Sequence, residues 1–281
     1  MSKRVKIWLL IATLLLLLGS VVFTSAMCFL KWDFSKLATS KYQTNSYAIT
    51  EDYKDIFIDT NTANIIIVPS DDTVCYVECH EQKELSHSVE VTDGVLSIKL
   101  IDSRKWYEYI EISSISPKIT VYLPKDEYNS LSIDTRTSDI KISNGLKFES
   151  VDICLSTGDI CMSDIICGSI NLKASTGSTY LSSVECASLS STGSTGDISM
   201  TSLIATESIY IERDTGDVEF DGCDASKILI STNTGDIEGS LLTEKVFVAT
   251  SDTGKVRVPS SKSGGICEIT TDTGDIEITI D

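Results

Sequence analysis

"DTGDIEITID" occupies Asp272–Asp281, and close relatives of it stand upstream: "STGDICM" from Ser156, "STGDISM" from Ser194, "DTGDVEF" from Asp214 and "NTGDIEG" from Asn233. The glycines of the phrase are Gly158, Gly177, Gly196, Gly216, Gly235, Gly254 and Gly274, spaced by 19, 19, 20, 19, 19 and 20 residues. Ser138 in "RTSDIKI" extends the series one step back at a spacing of 20. Self-similarity at so constant a period is the signature of a repeat architecture.

Apolar residues keep the same step. Three after the threonine come Ile140, Ile160, Thr179, Ile198, Val218, Ile237, Val256 and Ile276; five after it come Ile142, Met162, Leu181, Met200, Phe220, Gly239, Val258 and Ile278. A third inward position falls at Ile165, Val184, Leu203, Cys223 and Leu242. Between the first two columns lie mixed residues such as Lys141, Tyr180, Glu219 and Glu277. That alternation is the period of a half-buried strand. A second alternating run follows in each unit, as in "SINLKA", "SIYIER" and "KILIST". One strand pair cannot bury its own apolar face, but stacked copies can. The expected fold is therefore all-β: a β-solenoid of 19–20-residue, two-strand coils, with rungs about 4.8 Å apart.

Glycine marks the tight corner of each coil, where backbone angles are costly for other residues. The aspartates after it, Asp159, Asp197, Asp217, Asp236 and Asp275, are expected to accept nearby backbone hydrogen bonds. A calcium ladder is the competing reading. Ser178 and Lys255 interrupt the column, and the doubled glycines of calcium-binding repeats are missing, so no metal is expected. The threonine occurs once per corner, which does not make the flat array of an ice-binding face. The last coil stops at Asp281 after one strand, about 40 Å from the first coil if eight rungs stack. Its open face is expected either to rely on the charges of Asp275, Glu277 and Asp281, or to dock a partner through Ile276 and Ile278.

Residues 1–6 read as a cytoplasmic stub, 7–30 as a transmembrane helix, 31–50 as a polar stalk, 51–130 as an irregular solenoid part with a hairpin, and 131–281 as the regular repeats. The run from Ile7 to Leu30 has no charged residue over 24 positions, and a span needs about 20. The alternatives are a signal peptide cleaved near Thr24–Ala26 and a lipoprotein at Cys28, where Met27 misfits. The basic start, "SKRVK", places the amino terminus inside and the body outside.

The whole chain carries −18 and residues 1–45 carry +5, which leaves −23 for the rest. So acidic a body repels phosphate backbones, and nucleic-acid binding is excluded. Cationic peptides, a glycan or an envelope protein remain as partner classes. The nine cysteines form no C-x-x-C pair and read mostly as small apolar fillers, with one or two disulfides as the alternative. Cys75 and Cys79 sit too far apart along a strand to bridge. Trp106, Tyr107 and Tyr109 form the densest aromatic patch, read as a cap over the first coils or a partner surface. His80 and His87 read as surface residues on strands. No catalytic constellation, phosphate loop, cofactor site or metal-spaced cluster is apparent.

The "T-G-D-I-x-I" units following "ITVYLPK" resemble the bacterial putative-adhesin family, a domain family of unknown function built from β-strand repeats, over roughly residues 50–281. The resemblance implies a membrane-anchored surface protein, with links to envelope-stress circuits and to antimicrobial-peptide binding. The expected function is thus a non-enzymatic, membrane-tethered extracellular solenoid that binds a ligand or takes part in envelope-stress sensing. The alternatives are a structural spacer or adhesin at the cell surface, and a carbohydrate-active enzyme.

Overall fold

The computed structural model describes residues 2–33, 42–105, 116–143 and 145–281. The chain divides into two compact units, one of residues 1–41 and 104–116, the other of residues 42–103 and 117–281. The first unit holds helix α1, Lys3–Phe29, whose 27 residues are long and apolar enough to cross a membrane. Leu and Trp side chains lie exposed around it, including Trp8, Leu10 and Leu16. Its hydroxyls do not stay unpaired: Thr13, Ser20 and Thr24 each donate to the carbonyl four residues back, at 2.9, 2.9 and 2.7 Å. That bonding is what an apolar surrounding requires of a polar side chain.

The second unit is all-β. Among the described residues its strands are β1 (Tyr42–Ile49), β2 (Asp55–Thr60), β3 (Asn64–Ser70), β4 (Cys75–Gln82), β5 (Leu85–Thr92), β6 (Val95–Asp102), β7 (Lys118–Pro124), β8 (Glu127–Thr137), β9 (Ile140–Ser143), β10 (Lys147–Thr157), β11 (Ile160–Thr176), β12 (Thr179–Thr195), β13 (Ile198–Thr201), β14 (Ile204–Thr215), β15 (Val218–Thr234), β16 (Ile237–Leu241), β17 (Lys245–Thr253), β18 (Val256–Arg257), β19 (Gly265–Thr273) and β20 (Ile276–Ile280). Strand β1 thus occupies part of the segment expected to be stalk.

Repeats pair in parallel with the repeats above and below. One ladder runs β6, β2, β8, β10, then the later halves of β11 and β12, β14, the later half of β15, β19 and β17. The other runs β7, β3, β9, the earlier halves of β11 and β12, β13, the earlier half of β15, β16, β20 and β18. The registers match the sequence columns: Ile140, Ile160, Thr179, Ile198, Val218, Ile237 and Ile276 stand one on another, all buried. Gly239 holds its place in an apolar column because the Phe220 ring fills its space; a Cβ there would lie 2.6 Å from that ring. At the third inward position a register shift puts Leu241, not Leu242, beside Cys223, and Leu242 is exposed.

Chain order and stacking order part company at the far repeats. Strands β19 and β20 insert between β15–β16 and β17–β18. The open end is therefore the β17–β18 rung, where Val246, Val248 and Val256 are exposed. Ile276 and Ile278, expected at an open face, are 0% and 4% exposed, so they are core residues and not a partner surface. At the opposite end the sheet continues in antiparallel pairing, β5 on β6, β4 on β7 and β1 on β4.

Candidate functional site

The corner column is built from two constraints at once. Each phrase glycine has a positive φ, +131° at Gly177 and Gly196. Each also lies against the corner of the rung beneath: a Cβ on Gly196 would fall 2.1 Å from the Gly177 carbonyl oxygen. Beside the glycines runs a ladder of carboxylates. The Asp217 amide donates to Asp197 Oδ1 at 2.9 Å, Asp236 to Asp217 at 2.8 Å, Asp275 to Asp236 at 2.7 Å and Lys255 to Asp275 at 2.7 Å. Lower down, Asp139 binds Asn64, Asp159 binds Asp139 and Ser178 binds Asp159 in the same way. Each carboxylate thus joins its rung to the next. Lys255 interrupts the series only in sequence order. In space it closes the ladder, where no further amide needs an acceptor.

A second corner column went unread in the sequence. Gly145, Asp164, Ser183, Ser202 and Gly222 all adopt φ between 52° and 76°. The signal was available as a 19–20-residue spacing of small or polar residues that tolerate the left-handed region.

Among the described residues, the cluster of metal-ligating and titratable side chains lies in the irregular part. Cys75, Val77, Cys79 and Glu81 alternate along β4, so Glu81 continues an inward row. The β4–β5 turn then brings His87 back over it. Glu81 Oε2 accepts from the His87 backbone amide at 2.8 Å and sits 2.6 Å from His87 Nδ1. Thr60 Oγ1 lies 2.8 Å from His87 Nε2, and Asn45 donates to Glu81 Oε1 at 2.6 Å. Glu81 and His87 are buried, which corrects the expectation that His87 is a surface residue. The Cys79 thiol, the His87 ring and the Glu81 carboxylate present ligand atoms within 4.8 Å of one another. Burial, then the charge of Glu81, pushes the Cys79 thiol up to about 12. Hydroxyl, imidazole and carboxylate follow the order of a hydrolytic triad, but Thr60 is only 2% exposed, so substrate cannot reach its oxygen. His80 is a rim residue, stacked on Tyr42 and bonded to Thr44.

A shallow groove of about 480 Å³ lies along the outer face of β13, β15, β16 and β20. Glu219, Glu238 and Glu277 stand in consecutive register there. Arg257 pairs with Glu277 at 3.1 Å; among the described residues no cation pairs with Glu219 or Glu238. All nine cysteines are free, so the disulfide alternative is not realised. Trp106, Tyr107 and Tyr109 lie outside the described residues.

The family described as Toastrack DUF4097 matches residues 53–208 and 182–281. No curated protein matches the sequence. Among solved structures, a protein described as a putative adhesin from Bacteroides fragilis is similar at 18% identity and a TM-score of 0.46, covering 72% of this chain and 98% of its own. A putative adhesin from Parabacteroides merdae is similar at 11% identity and a TM-score of 0.38, covering 86% and 97%. A putative lipid binding protein from Parabacteroides distasonis is similar at 14% identity and a TM-score of 0.27, covering 87% and 98%.

Proposed function

The chain belongs to the Toastrack DUF4097 family, and we propose that it is a non-enzymatic, single-pass surface protein whose β-solenoid body binds cationic ligands outside the cell. The parallel rungs at 19–20-residue offsets support the solenoid reading. Lys3, Arg4 and Lys6 before the uncharged run support an amino terminus held in the cytoplasm. The glutamate column carries the ligand reading. Carboxylates one rung apart repel by about 0.9 kcal/mol per pair in water, and among the described residues Glu219 and Glu238 have no cation to offset this. A cationic peptide laid along the groove supplies one. Envelope-stress sensing follows if such a peptide is the signal. The spacer or adhesin reading draws support from the corner carboxylates, which are spent within the stack.

The test is binding of a fluorescent oligolysine to the detergent-solubilised full chain at low salt, with oligoglutamate as control. Oligolysine should bind, and Glu219→Gln with Glu238→Gln should weaken it several-fold. Equal binding of both peptides, or no effect of the double substitution, contradicts the reading.

A further inference from the structure

We propose that Cys79, Glu81 and His87 form a binding site for a zinc-class transition metal ion, clasped beneath β1. Thiolate, imidazole and carboxylate together are the donor set that Zn²⁺ and its stand-in Co²⁺ prefer over calcium or magnesium. Three protein ligands leave the fourth position for water. The donors come from alternate residues of β4 and from β5 across one short turn, and all three are buried.

The surroundings already supply what metal-bound ligands need. A histidine that ligates through one nitrogen donates the other N–H to an acceptor. Thr60 Oγ1 waits 2.8 Å from Nε2 for that bond. Asn45 holds the outer oxygen of Glu81 at 2.6 Å, and the Tyr47 hydroxyl donates to the His87 carbonyl at 3.3 Å. The thiol is the member left over: among the described residues the Cys79 Sγ has no hydrogen-bond partner, though it faces a buried carboxylate.

Metal binding asks for small movements. Without metal, the Nδ1 proton bridges His87 and Glu81 across 2.6 Å. In a tetrahedral site the same two atoms stand about 3.3 Å apart, and the sulfur about 3.6 Å from each. The ion takes the place of that proton, which passes to Nε2 and is donated to Thr60 Oγ1, and the thiol proton is released to solvent. A route in exists because β1, which carries Asn45 and Tyr47, pairs among the described residues with β4 alone. Release of this edge strand uncovers the cluster. The bound ion then ties β4 to β5 more firmly than the hydrogen bonds alone.

The full chain in detergent, stripped by chelator, is titrated with cobalt chloride. One equivalent should bind with a sulfur-to-cobalt charge-transfer band, and zinc should displace it. Cys79→Ser should abolish the band while leaving the far-ultraviolet circular dichroism unchanged. Thr60→Val should weaken binding by roughly 10–100-fold. If Cys79→Ser does not fold, His87→Gln takes its place in the comparison. Absence of the band in the wild type at saturating cobalt overturns the proposal, as does its survival at full intensity in the folded Cys79→Ser protein.

Discussion

Gly196→Ala isolates the physics of the corner. An added Cβ at φ +131° would lie 2.1 Å from the Gly177 carbonyl oxygen and 2.5 Å from its carbon. Backbone of the adjoining rung cannot rotate away as a side chain would. The two rungs are joined at this corner by the Gly177 amide, bonded to the Thr195 carbonyl at 2.9 Å, and the Thr179 amide, bonded to the Asp197 carbonyl at 2.9 Å. The backbone conformation alone costs an alanine of order 1–3 kcal/mol. Separating the rungs weakens those two hydrogen bonds, worth about 1 kcal/mol each. The expected loss is therefore about 3–5 kcal/mol, a large share of a typical domain's 5–15. Urea denaturation of the detergent-solubilised chain, followed by circular dichroism, reads it. Gly94→Ala is the internal control: φ is +78° but nothing lies within 4 Å of the added carbon, so only about 1–2 kcal/mol should be lost. Equal losses at the two sites would refute the claim that inter-rung contact dictates the glycine column.

Asp236→Ala removes the acceptor of the Asp275 amide and should cost about 1–2 kcal/mol in the same assay, whereas Lys255→Ala at the top of the ladder should cost under about 0.5. Arg213, 3% exposed, is held by Ser191 and its neighbour's carbonyl, with no carboxylate among the described residues, and burial pushes its guanidinium down. Arg213→Met should thus leave the urea midpoint unchanged or raised. Burial pushes the thiols of Cys167 and Cys267 up to about 12 and that of Cys186 to about 11, from 9.0. Raised thiols favour folding below the unfolded value, so melting temperature should decline from pH 9 towards 12 (less steeply in a triple Cys→Ala variant).

The regular half was legible because one period governs every level of it. A 19–20-residue step in glycine, aspartate and apolar residues sets corner, ladder and core together, and the registers Ile153–Leu172 and Ile211–Ile230 follow from it. What the period could not reveal is which rung follows which. Insertion of β19–β20 ahead of β17–β18 keeps every column intact, so hydrophobic pattern is blind to it. The one local trace is Lys255, a residue that gives an amide to the ladder and has no need to return a carboxylate. The buried cluster was hidden for a different reason. Cys79 and Glu81 are two apart on one strand, but His87 and Thr60 join them only through a hairpin and a tertiary contact. A glutamate continuing the inward row Cys75, Val77, Cys79 was the only hint along the sequence.

The placement of the body outside the cell is tested most directly by labelling Cys154 with a membrane-impermeant maleimide on intact cells. Among the body's cysteines Cys154 alone is exposed; Cys161 is intermediate and the others are buried. The account predicts prompt labelling before lysis, lost on Cys154→Ser. Labelling that appears only after the membrane is broken would contradict it.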